Sequence, residues 1–166
     1  MARVGVQRLE FLMESLSTDL ALAGCTLYGY KRKVLAKTAN YTATAADSGA
    51  IIQVNPAATT LIQLPGAEDV GAGWFVTVVI TEDDGGSMDN IVNIGTASGE
   101  FFNGILVATD TAAGGVANGT THDFITFKAA ATSGERVDIY SDGTRMHASG
   151  IIVDLTDSPF ATSAAT

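Results

Sequence analysis

The residues that could run chemistry in this chain are few and scattered. Nucleophilic catalysis sets a Ser, Cys or Thr beside a general base, most often His. The chain offers two histidines, His122 and His147, and a single cysteine, Cys25, and it contains no G-x-S-x-G elbow. His147 falls in a run that reads as one strand of a hairpin, and His122 opens another strand. Hard cations favour oxygen ligands, and Glu82, Asp83, Asp84 and Asp89 cluster in one loop with Gly85 and Gly86. Their order does not follow an EF-hand loop, so the cluster reads either as a solvated acidic turn or as a calcium site. Gly71-Ala72-Gly73 is half of a dinucleotide fingerprint, but it precedes a strand pattern, where no helix N-terminus meets a phosphate. Asp138, Asp142 and Asp154 alternate with apolar neighbours and are expected to face water, and nothing marks out a carboxylate pair for glycoside hydrolysis. The expectation is a protein without catalytic residues, metal ligands or cofactors.

Binding chemistry is better represented. Lys31-Arg32-Lys33 follows Tyr28 and Tyr30. This segment reads either as a docking element for an acidic protein surface or as a solvated strand end; in the first case charge fixes register and the tyrosines with Leu27 supply buried area. Trp74, the only tryptophan, opens the run Trp74-Phe75-Val76-Thr77-Val78-Val79-Ile80 and is expected in the core, not on a sugar-stacking platform.

Composition bounds what these elements can be. The chain has 166 residues, 46% of them hydrophobic and 16% charged, which suits one globular domain and not a disordered chain. The net charge is −9, so nucleic acid and anionic membranes are not expected partners. No apolar run approaches the roughly 20 residues of a membrane span. One cysteine excludes a disulfide within the chain. Glu10, Glu14 and Asp19 interrupt any h-region near the start, so the protein is expected to be made and kept in a cytoplasm. The charge is uneven. Residues 1–37 hold six basic and three acidic groups, a net +3; the remainder holds three basic and fifteen acidic groups, a net −12.

The same boundary separates two periodicities. Leu9, Leu12, Met13, Leu16 and Leu20 recur at spacings of three and four, which predicts an amphipathic helix whose apolar stripe (Leu9, Leu12, Leu16, Leu20) must pack on something. An extended basic arm follows, completing an N-terminal unit over 1–37. Residues 38–155 form the expected β-domain. Its short runs at 50–54, 59–64, 74–80, 90–94, 105–108, 124–128, 136–140, 144–148 and 151–155 are separated by Gly, Asp and Ser clusters. Ser141-Asp142-Gly143-Thr144 is a hairpin signal. The predicted fold is a mainly-β antiparallel sandwich, jelly-roll-like, with residues 156–166 as a tail.

Particular stretches are also familiar. Val34 to Gly49, Thr59-Thr60-Leu61-Ile62-Gln63-Leu64-Pro65-Gly66 and Val70-Gly71-Ala72-Gly73-Trp74-Phe75 resemble a β-sandwich module of bacteriophage structural proteins. So does Val137 to Met146 with its Ser-Asp-Gly-Thr turn, although Met146 stands where an aromatic residue is common. The helix and the Tyr28-Gly29-Tyr30-Lys31-Arg32 arm resemble, more specifically, the capsid decoration (cement) proteins of T7-like marine phages. That resemblance implies a non-enzymatic protein on the outer surface of a virion, bracing capsid subunits as a homotrimer bound to the major capsid protein. On that reading Tyr28, Tyr30, Lys31, Arg32 and Lys33 are the expected capsid contacts. A tail adaptor or fibre-base subunit, or a carbohydrate-binding β-sandwich module, are the alternatives.

Overall fold

The computed structural model describes residues 31–81, 89–108, 115–118, 121–129, 131–152 and 160–162. The expected N-terminal helix with Leu9, Leu12, Leu16 and Leu20 lies outside them, as do Tyr28 and Tyr30 and most of the acidic 82–89 loop. The body is mainly β. Its strands are β1 (Val34–Lys37), β2 (Tyr41–Thr42), β3 (Ile51–Val54), β4 (Thr60–Gln63), β5 (Ala72–Ile80), β6 (Val92–Gly95), β7 (Phe102–Ala108), β8 (Gly115–Asn118), β9 (Phe124–Phe127), β10 (Arg136–Asp142), β11 (Met146–Ile152) and β12 (Phe160–Ala161). One 3-10 turn (Ala45–Asp47) and a single-turn helix α1 (Ala67–Val70) punctuate them.

The strands form a seven-stranded sheet, ordered β1-β3-β5-β10-β11-β7-β8, and a five-stranded sheet, ordered β12-β9-β6-β4-β2. Both sheets are mixed, which corrects the antiparallel expectation. From β1 to β6 the chain places alternate strands in alternate sheets, so strands that neighbour each other within a sheet are one full circuit apart and run parallel: β1 on β3, β3 on β5, β2 on β4, β4 on β6. The Asp47-Ser48-Gly49 turn, for example, lies between β2 of one sheet and β3 of the other. Antiparallel pairing begins with β8 on β7 and β9 on β6, and continues where β10 returns against β5 and folds back as β11. Residues 34–37, at the end of the expected arm, are the edge strand β1. The expected Asp142–Gly143 hairpin is present, with Gly143 at φ +90, a conformation that costs glycine little.

Period-two alternation explains the packing. In β5 Trp74, Val76, Val78 and Ile80 point inward, and in β10 Val137, Ile139 and Ser141 do so. They meet Ile62 of β4, Ile94 of β6 and Ile125 and Phe127 of β9 in one continuous apolar core. Trp74 is in that core as expected, and its indole Nε1 donates to Thr44 O at 3.1 Å, so the one polar atom of the ring is satisfied. Phe160 of β12 is buried against Phe102 (ring centroids 6.4 Å apart) and His122 (6.0 Å), which ties the C-terminal segment to the body. Gly104 of β7 faces Ala148 of β11, where a Cβ would land on the Ala148 carbonyl oxygen; only glycine lets these two strands pair.

Candidate functional site

The register of the seven-stranded sheet stacks its outward side chains into rows. One row is Phe75 (β5), Tyr140 (β10), His147 (β11) and Asn103 (β7); the next is Val34, Ile51, Thr77, Asp138, Ser149 and Ile105; the third carries Gln53, Val79, Arg136, Ile151 and Val107. Water meets large apolar groups on this face: Ile105 is 59% exposed, Val107 54%, Tyr140 51%, Ile151 48% and Phe75 44%. Scattered apolar residues on a surface are ordinary; several on adjacent strands at matched register mark a contact surface. The face divides in two, with an aliphatic end at Ile105, Val107 and Ile151 and an aromatic end at Phe75, Tyr140 and His147.

The aromatic end has internal order. The Tyr140 and His147 rings stack 4.8 Å apart and 9° from parallel. His147 Nε2 lies 2.7 Å from Asp142 Oδ2. The other Asp142 oxygen accepts the backbone N–H groups of Thr144 (2.8 Å) and Arg145 (2.7 Å), the local bonding that makes Asp a good turn residue. The His147 hydrogen bond first, and these backbone donors next, hold the Asp142 carboxyl down at about 2. On the other side of Tyr140 an open cleft of about 320 Å3 is lined by Arg32, Phe75, Thr77, Asp138 and Tyr140.

Arg32 is built into this cleft. Its Nε donates to Gly49 O (2.7 Å), its Nη2 donates to Ala50 O (2.9 Å) and Thr77 Oγ1 (3.0 Å), and its guanidinium lies 5.5 Å from the centre of the Phe75 ring. The Thr77 hydroxyl in turn donates to Asp138 Oδ1 at 2.6 Å. A guanidinium suits this role because its fork is planar and stacks on aromatic rings. Lys33 reaches Asp47 Oδ1 at 2.8 Å. Lys31 is exposed. Of the basic triplet, therefore, two members bind within the chain and Lys31 faces water.

The sequence marks Trp74 for the core and gives Phe75 and Tyr140 no role of their own. Strict alternation was the available signal: with Trp74 and Val76 inward, Phe75 and Thr77 must point out. The pairing of β5 with β10, which brings Tyr140 opposite Phe75, had no signal at all. Among the described residues no group of three or more His, Cys, Asp or Glu side chains converges as a metal site. Comparison of the chain with protein-family models, with curated proteins and with solved structures found no match in any of the three.

Proposed function

We propose that the chain is a non-enzymatic virion structural protein that coats the outer surface of a phage capsid, contacts the major capsid protein and associates with copies of itself. We take the two sheets sharing one core as the sandwich of such modules. The observation that carries the reading is the aliphatic end of the outer sheet face, where Ile105 and Val107 of β7 and Ile151 of β11 stand exposed at matched register. Such a patch, bordered by Arg136 opposite Ile151, suits a self-complementary or ring-forming interface, where a modest area repeated many times reinforces a shell. The resemblance of the Thr59–Gly66 and Val137–Met146 stretches to phage modules points the same way. Lys31, Tyr28 and Tyr30 are the residues we assign to the capsid, whereas Arg32 and Lys33 bond to groups of the β body.

The test is location and copy number on particles carrying a labelled C-terminus, by cryo-electron microscopy. Label spread over the head supports the proposal. Label at one vertex replaces it with a tail adaptor or fibre-base subunit, and particles without label overturn a virion role.

A further inference from the structure

We infer that the cleft between Phe75 and Tyr140 is a binding site for a neutral saccharide ring. The inference stands apart from any position in a virion, because it concerns the isolated chain and one site upon it. A pyranose is two-sided in chemistry: its axial C–H face is apolar, and its rim carries hydroxyls that both donate and accept. The cleft is two-sided in the same way. One face of the Tyr140 ring is covered by His147, and the opposite face, toward β5, borders the cleft. That is an apolar wall held at fixed inclination by the stacked imidazole. Across from it the Phe75 ring is capped by the Arg32 guanidinium.

The polar groups are arranged at the rim of this wall. Asp138 is exposed, and its Oδ1 is fixed by the Thr77 hydroxyl at 2.6 Å, which is itself fixed by Arg32 Nη2 at 3.0 Å. Asp138 Oδ2 and the Tyr140 hydroxyl have no protein partner among the described residues, so an acceptor and a donor–acceptor group face the cleft ready for sugar hydroxyls. A carboxylate locked in place before the ligand arrives loses little freedom on binding. The volume, about 320 Å3, stands at the small end of ligand pockets and suits one ring with its neighbours in solvent. Within the cleft the Arg32 guanidinium and the Asp138 carboxylate offset one another, which suits a neutral ring, while the −9 of the whole chain disfavours acidic saccharides and nucleotides at long range.

The experiment is saturation-transfer difference NMR on the full chain with the methyl glycosides of glucose, galactose, mannose and N-acetylglucosamine. Transfer to the ring C–H protons of at least one of them is expected, because that face lies on Tyr140. Tyr140→Ala and Asp138→Asn should each weaken binding by roughly tenfold or more, the equivalent of one good contact, with the backbone amide spectrum otherwise retained. Should Tyr140→Ala unfold the chain, Asp138→Asn, an isosteric change at an exposed site, decides alone. Ile105→Ser, on the aliphatic end, should leave binding unchanged. No transfer to any glycoside, transfer that persists undiminished in Asp138→Asn, or amide shifts confined to Ile105, Val107 and Ile151 would each overturn the inference.

Discussion

Lys33 Nζ lies 2.8 Å from Asp47 Oδ1, joining a half-exposed cation to a carboxylate that is almost wholly buried. The bond spans 14 residues and secures the entry to β1 against the 3-10 turn that precedes β3. Asp47 is the hub: its Oδ2 also accepts from the Tyr41 hydroxyl (2.8 Å), the Thr44 backbone N–H (2.9 Å) and the Thr44 hydroxyl (2.9 Å). Burial alone would raise this carboxyl; the hydrogen bonds from Lys33, Thr44 and Tyr41 override it and hold the group well below the usual carboxylate range.

Asp47→Ala strands the Tyr41 hydroxyl and the Thr44 donors, and should destabilise the chain by roughly 2–4 kcal/mol. Lys33→Ala removes only the exposed partner and should cost about 0.5–1 kcal/mol. The sign of the acid dependence follows from the depressed pKa. The stability that Asp47 contributes is present above the ordinary carboxylate range, near pH 4, and is lost as pH falls below it. Urea unfolding midpoints at neutral pH and at progressively lower pH measure both effects. Equal losses in the two variants at neutral pH would remove Asp47 from the centre of the network.

Tyr41 predicts the opposite limb. Burial first, and the hydrogen bond to Asp47 next, push its hydroxyl up to about 12. An unfolded tyrosine loses its proton near pH 10. Between those values the folded chain binds more protons than the unfolded one, so the stability Tyr41 contributes is intact below pH 10 and drains away as pH rises toward 12. Tyr41→Phe should flatten this alkaline fall, as read by thermal unfolding from pH 9 upward; an unchanged slope would show that other groups govern it.

The hairpin between β10 and β11 offers a site-resolved test. Carbon-13 NMR should find Asp142 titrating near 2. His147→Ala deletes the first of its supports and leaves the backbone donors of Thr144 and Arg145, so the midpoint should rise only part of the way to an ordinary aspartate value. A midpoint that does not move would assign the depression to the turn backbone alone.

How much of this was legible beforehand depends on range. Runs such as Trp74–Ile80 and Arg136–Tyr140 carry period-two alternation within themselves, and they became β5 and β10. The Ser141–Thr144 turn signalled its own hairpin. Strands β2 and β12 are two residues long, too short for any pattern, and Phe160 is held by partners distant in the chain: Ile125 opposite it on β9, and the rings of Phe102 and His122. The parallel winding of β1 to β6 is set by strand exchange between sheets, and alternation reads the same in either direction. The cleft is less legible still, because Arg32, Phe75 and Tyr140 meet only through long-range register, and the helix stripe at Leu9 to Leu20 falls outside the described residues.

The aliphatic end of the outer face carries the last prediction. If Ile105, Val107 and Ile151 meet a second copy of the chain, a charge placed among them must be desolvated at the interface without a partner, while in a free monomer it stays in water. Ile105→Asp and Val107→Asp should therefore convert an assembled species to monomer while leaving the unfolding midpoint of the monomer nearly unchanged, since both side chains are already more than half exposed. Sedimentation equilibrium across a concentration series reads the mass, and urea unfolding of the dilute chain reads the fold. Ser149→Asp, one strand away in the same row as Ile105 but flanked by Asp138, places like charges side by side and should act in the same direction more weakly. An assembly that survives Ile105→Asp and Val107→Asp together would locate self-association elsewhere on the molecule and leave this patch for the capsid.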